Sequence, residues 1–237
     1  MQIKPGFTHH GKVIFAGGDD FLLLGPLTEA ISLTTNLHRL WTGEASPLTQ
    51  PLEPAVDGWV QYNSQIYPVP GKKMNFSLGV VIAQRRVPQS LWHRGLNQAY
   101  KEAKNQGRNR VCIKVLFNSG QSLEWVCPWP LWNMLMFVEP TTVAQTELNR
   151  WEKLLSYLES SRLQNVSIFT VGELIETLWA SVGIPLKWND VIVWRRDFNK
   201  EIENWQWWIN WISLRAFLAR QDRERQKWLQ LVTGGKR

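Results

Sequence analysis

The sequence predicts an α+β fold: a mainly antiparallel sheet with helices on one face, followed by a wholly helical end. Three observations lead there. Short apolar runs with β-branched members, bounded by glycines and turn residues, recur through the first 127 residues, as strands do. Between them, residues 27–41 and 91–106 repeat apolar side chains at helical spacing. Beyond Pro128-Trp129-Pro130 the long segments are all helix-periodic, and twelve of the fifteen tryptophans lie after residue 120.

The first element is a hairpin. Val13, Ile14, Phe15 and Ala16 form one apolar run and residues 21–24 a second, with Gly17-Gly18-Asp19-Asp20 between them. Two buried strands are expected, with both aspartates in the bend. Gly17 and Gly18 tolerate backbone angles and close approaches that a Cβ forbids. Adjacent carboxylates repel each other, so an apolar hairpin gains nothing structural from placing Asp19 beside Asp20. A divalent cation removes that repulsion, and Mg²⁺ favours all-oxygen sites completed by water and substrate phosphates. A solvent-exposed turn is the other reading, since Gly and Asp are common turn residues. The preceding His9-His10 pair reads as exposed rather than as metal ligands.

Pro26 suits a helix start, and Leu27, Ala30, Ile31, Leu33, Leu37 and Leu40 continue at helical spacing to Trp41. Residues 42–73 are rich in Pro, Gly, Ser and Thr with isolated Trp59, Tyr62 and Tyr67, which reads as a long loop holding one short strand. Residues 75–83 carry the strongest strand pattern of the chain. It breaks at a basic loop containing Arg85 and Arg86. Ser90 then suits the N-cap of a helix over 91–106. Leu91, Leu96, Ala99, Tyr100 and Ala103 form its apolar side, Lys101 and Lys104 fall on or beside the opposite one, and Gly107 ends it. Strands over 110–117 and 123–127 follow, joined by a turn.

In the helical end, helices are expected over 129–137, 143–159, 170–181 and 199–218, with a last one from 220. Thr170 and Glu173 have the spacing of a capping box, and Gly183-Ile184-Pro185 is a stop. Trp205, Trp207, Trp208, Trp211, Leu214 and Phe217 make the fourth helix aromatic on more than one side. Such a helix is central in its bundle or covered by a neighbouring protein. Base stacking also uses tryptophan, but helical spacing and near-neutral charge favour packing.

A chain of 237 residues can bury one large core or two modest ones. Its two cysteines, Cys112 and Cys127, have neither metal-motif spacing nor the number for a disulfide framework, which fits a reducing compartment. No apolar stretch has the length of a membrane span or the pattern of a signal peptide, so a soluble cytoplasmic protein with no membrane partner is expected. The net charge of +7 is local: residues 84–114 hold eight Lys or Arg against one Glu, while the flanks are nearly balanced. A basic segment that narrow points to phosphate contact at a defined place, or more blandly to a solvated helix face.

Residues 11–27, the strand over 75–83, the basic loop and the passage Ala99-Tyr100-Lys101-Glu102-Ala103-Lys104 … Gly107-Arg108-Asn109-Arg110-Val111 together resemble the second palm domain of the large subunit of type III CRISPR effector complexes. The end after residue 128 looks like that subunit's helical C-terminal domain. The two motifs are also similar to those of diguanylate cyclases. The resemblance implies a partial ferredoxin-like palm of nucleotide-cyclase type over 1–127, with 42–74 as a long insertion, and an all-helical bundle over 128–237. It implies an ATP polymerase-cyclase site making cyclic oligoadenylates on target RNA recognition, with ATP as substrate and Mg²⁺ or Mn²⁺ as cofactor. Asp19 and Asp20 would be catalytic metal ligands. Gly17 and Gly18 would let the backbone pass under the nucleotide, Lys104 would reach its triphosphate, and Arg108 is a further candidate. Arg85, Arg86 and Lys114 would belong to a second nucleotide surface or to an RNA-facing rim. The family's palm begins with a further strand and helices ahead of the hairpin, and only ten residues precede Gly11 here. The implied partners are therefore a chain supplying the missing N-terminal part of the large subunit, the small and backbone subunits, and guide and target RNA. A catalytically inactive scaffold in the same complex and a free-standing diguanylate-cyclase-like enzyme are the alternatives.

Overall fold

The computed structural model describes residues 11–17, 20–46, 50–51, 56–137, 147–160, 166–168 and 170–232. The chain divides into two compact units, Met1–Phe76 and Ser77–Arg237. The fold is α+β, as expected.

In the first unit β1 (Lys12–Gly17) and β2 (Asp20–Leu24) pair antiparallel, so the hairpin is present. Its strands are not buried: Val13, Ile14 and Phe15 are 58, 53 and 55% exposed. An apolar run specifies a strand but not the layer that covers it, and among the described residues this sheet has two strands. A 3-10 turn (Leu27–Glu29) leads into α1 (Ala30–Thr42), close to the expected bounds. The 42–73 stretch is more ordered than a loop. It holds β3 (Gln50–Pro51), β4 (Trp59–Tyr62) and β5 (Gln65–Pro68) in one antiparallel sheet. The two-residue turn between β4 and β5 places Asn63 and Ser64 at φ 48° and 63°, the left-handed geometry that matches strand twist in tight hairpins. The small core centres on buried Phe76, whose ring lies 5.0 Å from Trp41 and 6.2 Å from both Phe21 and His38.

In the second unit β6 (Leu78–Ala83), β7 (Arg110–Leu116) and β8 (Ser122–Pro128) form one sheet in that order. The expected single, mainly antiparallel sheet is thus three separate ones, and β6–β7 is parallel. Parallel neighbours need a long crossover, and here it is α2 (Gln89–Asn105). The helix lies close on the strand: a Cβ on Gly79 would sit 2.6 Å from the Tyr100 nitrogen. Ala99 and Ala103 pack with Cys112 and Val126 beneath it. Ser90 is not the cap. Pro88, locked at φ −54° and ψ 141°, precedes a helix that starts at Gln89 without a side-chain cap.

β8 runs straight into α3 (Trp129–Met136). Then come α4 (Glu147–Ser160), α5 (Gly172–Ser181), α6 (Trp188–Ile192), α7 (Arg195–Ile202) and α8 (Trp205–Val232). Two expectations fail here. The helices expected over 199–218 and from 220 are one helix of 28 residues, because no Gly or Pro interrupts it, and α6 and α7 precede it. Thr170 does not cap α5 either, since Val171 holds the N-cap position without a side-chain bond. The C-terminal stop is as expected. Gly183, at φ 74°, donates to the Ala180 carbonyl at 2.9 Å and Ile184 to that of Trp179 at 2.8 Å, the paired bonds of a glycine-terminated helix.

The tryptophans in the first half of α8 from Trp207 to Trp211 are core. Trp207, Trp208 and Trp211 are 7, 2 and 0% exposed, so their rings are not stacking platforms for bases. Their indole N–H groups are satisfied inside. Trp207 donates to the Val126 carbonyl on β8 at 2.6 Å and Trp211 to that of Leu135 at 3.2 Å.

Candidate functional site

The register of the hairpin sets Gly17 opposite Asp20 at its closed end. Gly18 and Asp19, between them, lie outside the described residues, as do His9 and His10. Gly17 keeps ordinary extended strand geometry rather than an unusual backbone angle, which corrects one reason given for it. Space explains it instead: a Cβ would come within 3.0 Å of the Phe15 ring. The Asp20 carboxylate is exposed and forms no hydrogen bond or ion pair with another described residue. Among the described residues no three His, Cys, Asp or Glu converge. Asp20 by itself makes no metal site among the described residues, and a divalent ion there would need further oxygen ligands.

The basic candidates belong to the second unit and fall into three groups. Lys104 and Arg108 are exposed around the C-terminal end of α2. Lys104 Nζ rests 4.2 Å from the centre of the Tyr100 ring, which limits where the ammonium points. Gly107, Arg108 and Asn109 take φ values of 125°, 59° and 50°, three consecutive residues in a region L side chains rarely adopt. The Asn109 N–H donates to Ser77 Oγ at 3.2 Å.

Arg85 and Arg86 occupy the exposed turn before α2, at its other end. A helix of 17 residues is ~25 Å long, so these arginines and the Lys104–Arg108 pair are two contact regions, not one. The end near Arg85 and Arg86 also has the helix's partial positive charge, whereas anions at the Lys104 end must be attracted by the side chains alone.

Lys114 is a correction. Its ammonium bonds Glu124 Oε2 at 2.9 Å and Gln98 Oε1 at 3.3 Å, and its side chain is only 15% exposed. The β7–β8 register places Glu124 directly opposite, so Lys114 is spoken for within the sheet. Arg110 is equally internal, being buried against Glu201 of α7. Six of the eight cations therefore remain exposed, including Arg94 and Lys101, which line a shallow groove on α2 with Gln89, His93 and Asn97. Sequence reasoning missed that groove, although the i, i+3, i+4, i+7 spacing of residues 94, 97, 98 and 101 carries the signal. The cysteines take no part: burial pushes both thiols above their ordinary range, the opposite of what reactivity needs.

Residues 2–112 match the family model described as Cas10/Cmr2, second palm domain. The match covers a little under half of the chain and shows a likeness to that domain. The matched stretch takes in the hairpin, α1, the β3–β5 sheet, β6, α2 and the start of β7. Over that stretch the chain is similar to the large-subunit palms of type III CRISPR effector complexes. No curated protein matches the chain by sequence. Among the described residues no helix is long and apolar enough to cross a membrane.

Proposed function

We propose that the chain contributes the hairpin and phosphate-contacting part of an ATP-to-cyclic-oligoadenylate site in a type III CRISPR effector complex, and that a partner chain completes it. One observation carries this reading: the Cas10/Cmr2 palm match lies over an exposed Asp20 that has no side-chain partner among the described residues, opposite Gly17 at the closed end of the hairpin. Asp19 and Asp20 hold Mg²⁺ or Mn²⁺, which when bound supplies charge neutralisation at the triphosphate. Lys104 and Arg108 contact phosphate oxygens, offsetting the negative charge that builds as one nucleotide's hydroxyl attacks another's α-phosphate. Gly17 and Gly18 leave the nucleotide room. Arg85 and Arg86 contact guide or target RNA, or the second nucleotide. The exposed apolar strands Val13, Ile14 and Phe15 support a completing chain that lays a strand or helix on the hairpin. The helical half after residue 128 contacts the small and backbone subunits.

The test is ATP turnover with resolved products by the assembled complex on target RNA. Asp19→Ala/Asp20→Ala is expected to abolish oligoadenylate synthesis while leaving assembly and target binding nearly unchanged, since it removes metal ligands rather than packing. Product formed equally well by the mutant would refute the site. No turnover even in the wild-type complex would favour a scaffold.

A further inference from the structure

We propose that Glu201, on α7 of the helical half, is the positioning residue that holds the 107–109 loop in shape and so fixes where Arg108 presents its charge. The value of that charge rests on the reading that the loop faces a nucleotide's phosphates; the positioning does not.

The loop needs an external hold. Beside Gly107, Arg108 and Asn109 are two successive non-glycine residues at positive φ, a conformation that surrounding structure must support. One end is tied by the Asn109 N–H to Ser77 Oγ. The other is shaped by Arg110. The place where a Gly107 Cβ would sit is 2.9 Å from Arg110 Nη2 and 3.2 Å from its Nε, so the guanidinium packs directly on the Gly107 backbone. That guanidinium is a buried cation whose Nε has no hydrogen-bond partner among the described residues. Among the described residues its ion-pair partner is Glu201, through Nη1.

α7 grips Arg110 twice. Besides Glu201, the Phe198 ring lies 5.8 Å from the guanidinium carbon, and the helix geometry breaks at Phe198 (φ −134°, ψ 41°). α7 is itself anchored, since Trp208 donates to the Ile202 carbonyl at 3.0 Å from within the tryptophan core. A buried cation deprived of its carboxylate is strongly disfavoured and seeks water. Arg110 would then leave its place against Gly107, and the loop would lose that support. Arg110 and Glu201 lie 91 positions apart, and the palm match ends at residue 112, so this hold reaches the palm from outside it.

The experiment is amide-resolved hydrogen exchange on the full chain, reading the Asn109 amide relative to the Gly120 amide of the β7–β8 turn, which donates to the Phe117 carbonyl at 3.1 Å. Global destabilisation leaves that ratio unchanged, since both amides exchange through local opening. Glu201→Ala is expected to raise it roughly tenfold or more. The double variant Arg110→Met/Glu201→Leu removes the charge pair while keeping the site filled, so it is expected to fold, yet to leave the ratio equally raised. An unchanged ratio in Glu201→Ala, or a wild-type ratio in the double variant, overturns the proposal, because the loop would then follow general packing. Should the single variant fail to fold, the double variant decides by the same criterion. Titration with inorganic tripolyphosphate separates the two readings. A raised ratio with weakened binding supports both, whereas a raised ratio with unchanged binding upholds the positioning by Glu201 and removes the phosphate role of Arg108.

Discussion

Gly79 sets how closely α2 approaches β6. An added Cβ would meet backbone atoms of Tyr100 at 2.6 and 2.9 Å and the Ala99 carbonyl carbon at 3.1 Å, none of which can swing aside as a side-chain tip would. Gly79→Ala is therefore expected to push α2 off the sheet and cost about 1–3 kcal/mol, the usual range for overpacking. Urea unfolding followed by tryptophan fluorescence measures it, and an unshifted midpoint would mean the helix has room to move. The glycine was legible only as part of a strand, because the residue it serves lies 20 or more positions away. The same limit explains Lys114. Its charge is indistinguishable in sequence from that of Arg108, but a non-local carboxylate, Glu124, takes it inside the sheet while Arg108 stays exposed. Asp20 stood out on local grounds, as one of two adjacent carboxylates between apolar runs, a pattern that suits a ligand or a turn.

At the scale of elements, periodicity placed β6, α2, β7 and β8 to within a few residues, since each buries one face against the next. It missed β3–β5, whose turn-rich composition hides short strands, and it split α8, where a change from apolar to charged composition resembles an end. That change is a change of surroundings: along α8, residues before about 217 are largely buried and residues 222–232 are exposed. Placement on elements also separates two arginine pairs of equal charge. Arg85 and Arg86 stand exposed at the N-terminal end of α2, whereas Arg220 is engaged by Glu152 and Arg223 lies among Asp222 and Glu224. Replacing Arg85 and Arg86 by alanine should weaken RNA binding by the complex and flatten its salt dependence by about one unit of slope per lost contact. Replacing Arg220 and Arg223 should change the slope little. A salt titration in which the two double variants coincide would dissolve the distinction.

The whole molecule consists of two compact units, Met1–Phe76 and Ser77–Arg237, and they are built to very different strengths. The second has a continuous tryptophan and aliphatic core. The first has small sheets around Phe76 and Val60 and an exposed hairpin, little burial with which to offset chain entropy. Unfolding in two steps is expected, the first unit melting at lower urea. Acid should widen the gap. Burial beside Phe76 lowers the His38 pKa from 6.5 to about 4, with nearby Arg39 adding to the effect and Glu44 opposing it. Folded His38 is therefore neutral at pH 5, while the unfolded chain binds a proton there. Its contribution to the first unit is fully present above about pH 6.5, declines as pH falls and levels off near pH 4. Amide-resolved exchange or NMR across a urea series at pH 7.5 and pH 5 should show the first unit's midpoint falling on acidification. His38→Phe, which cannot take up a proton, should remove most of that fall while keeping the ring contact. A single midpoint shared by both units at both pH values would show that they unfold as one. A pH shift that persists in His38→Phe would assign the acid sensitivity to another group.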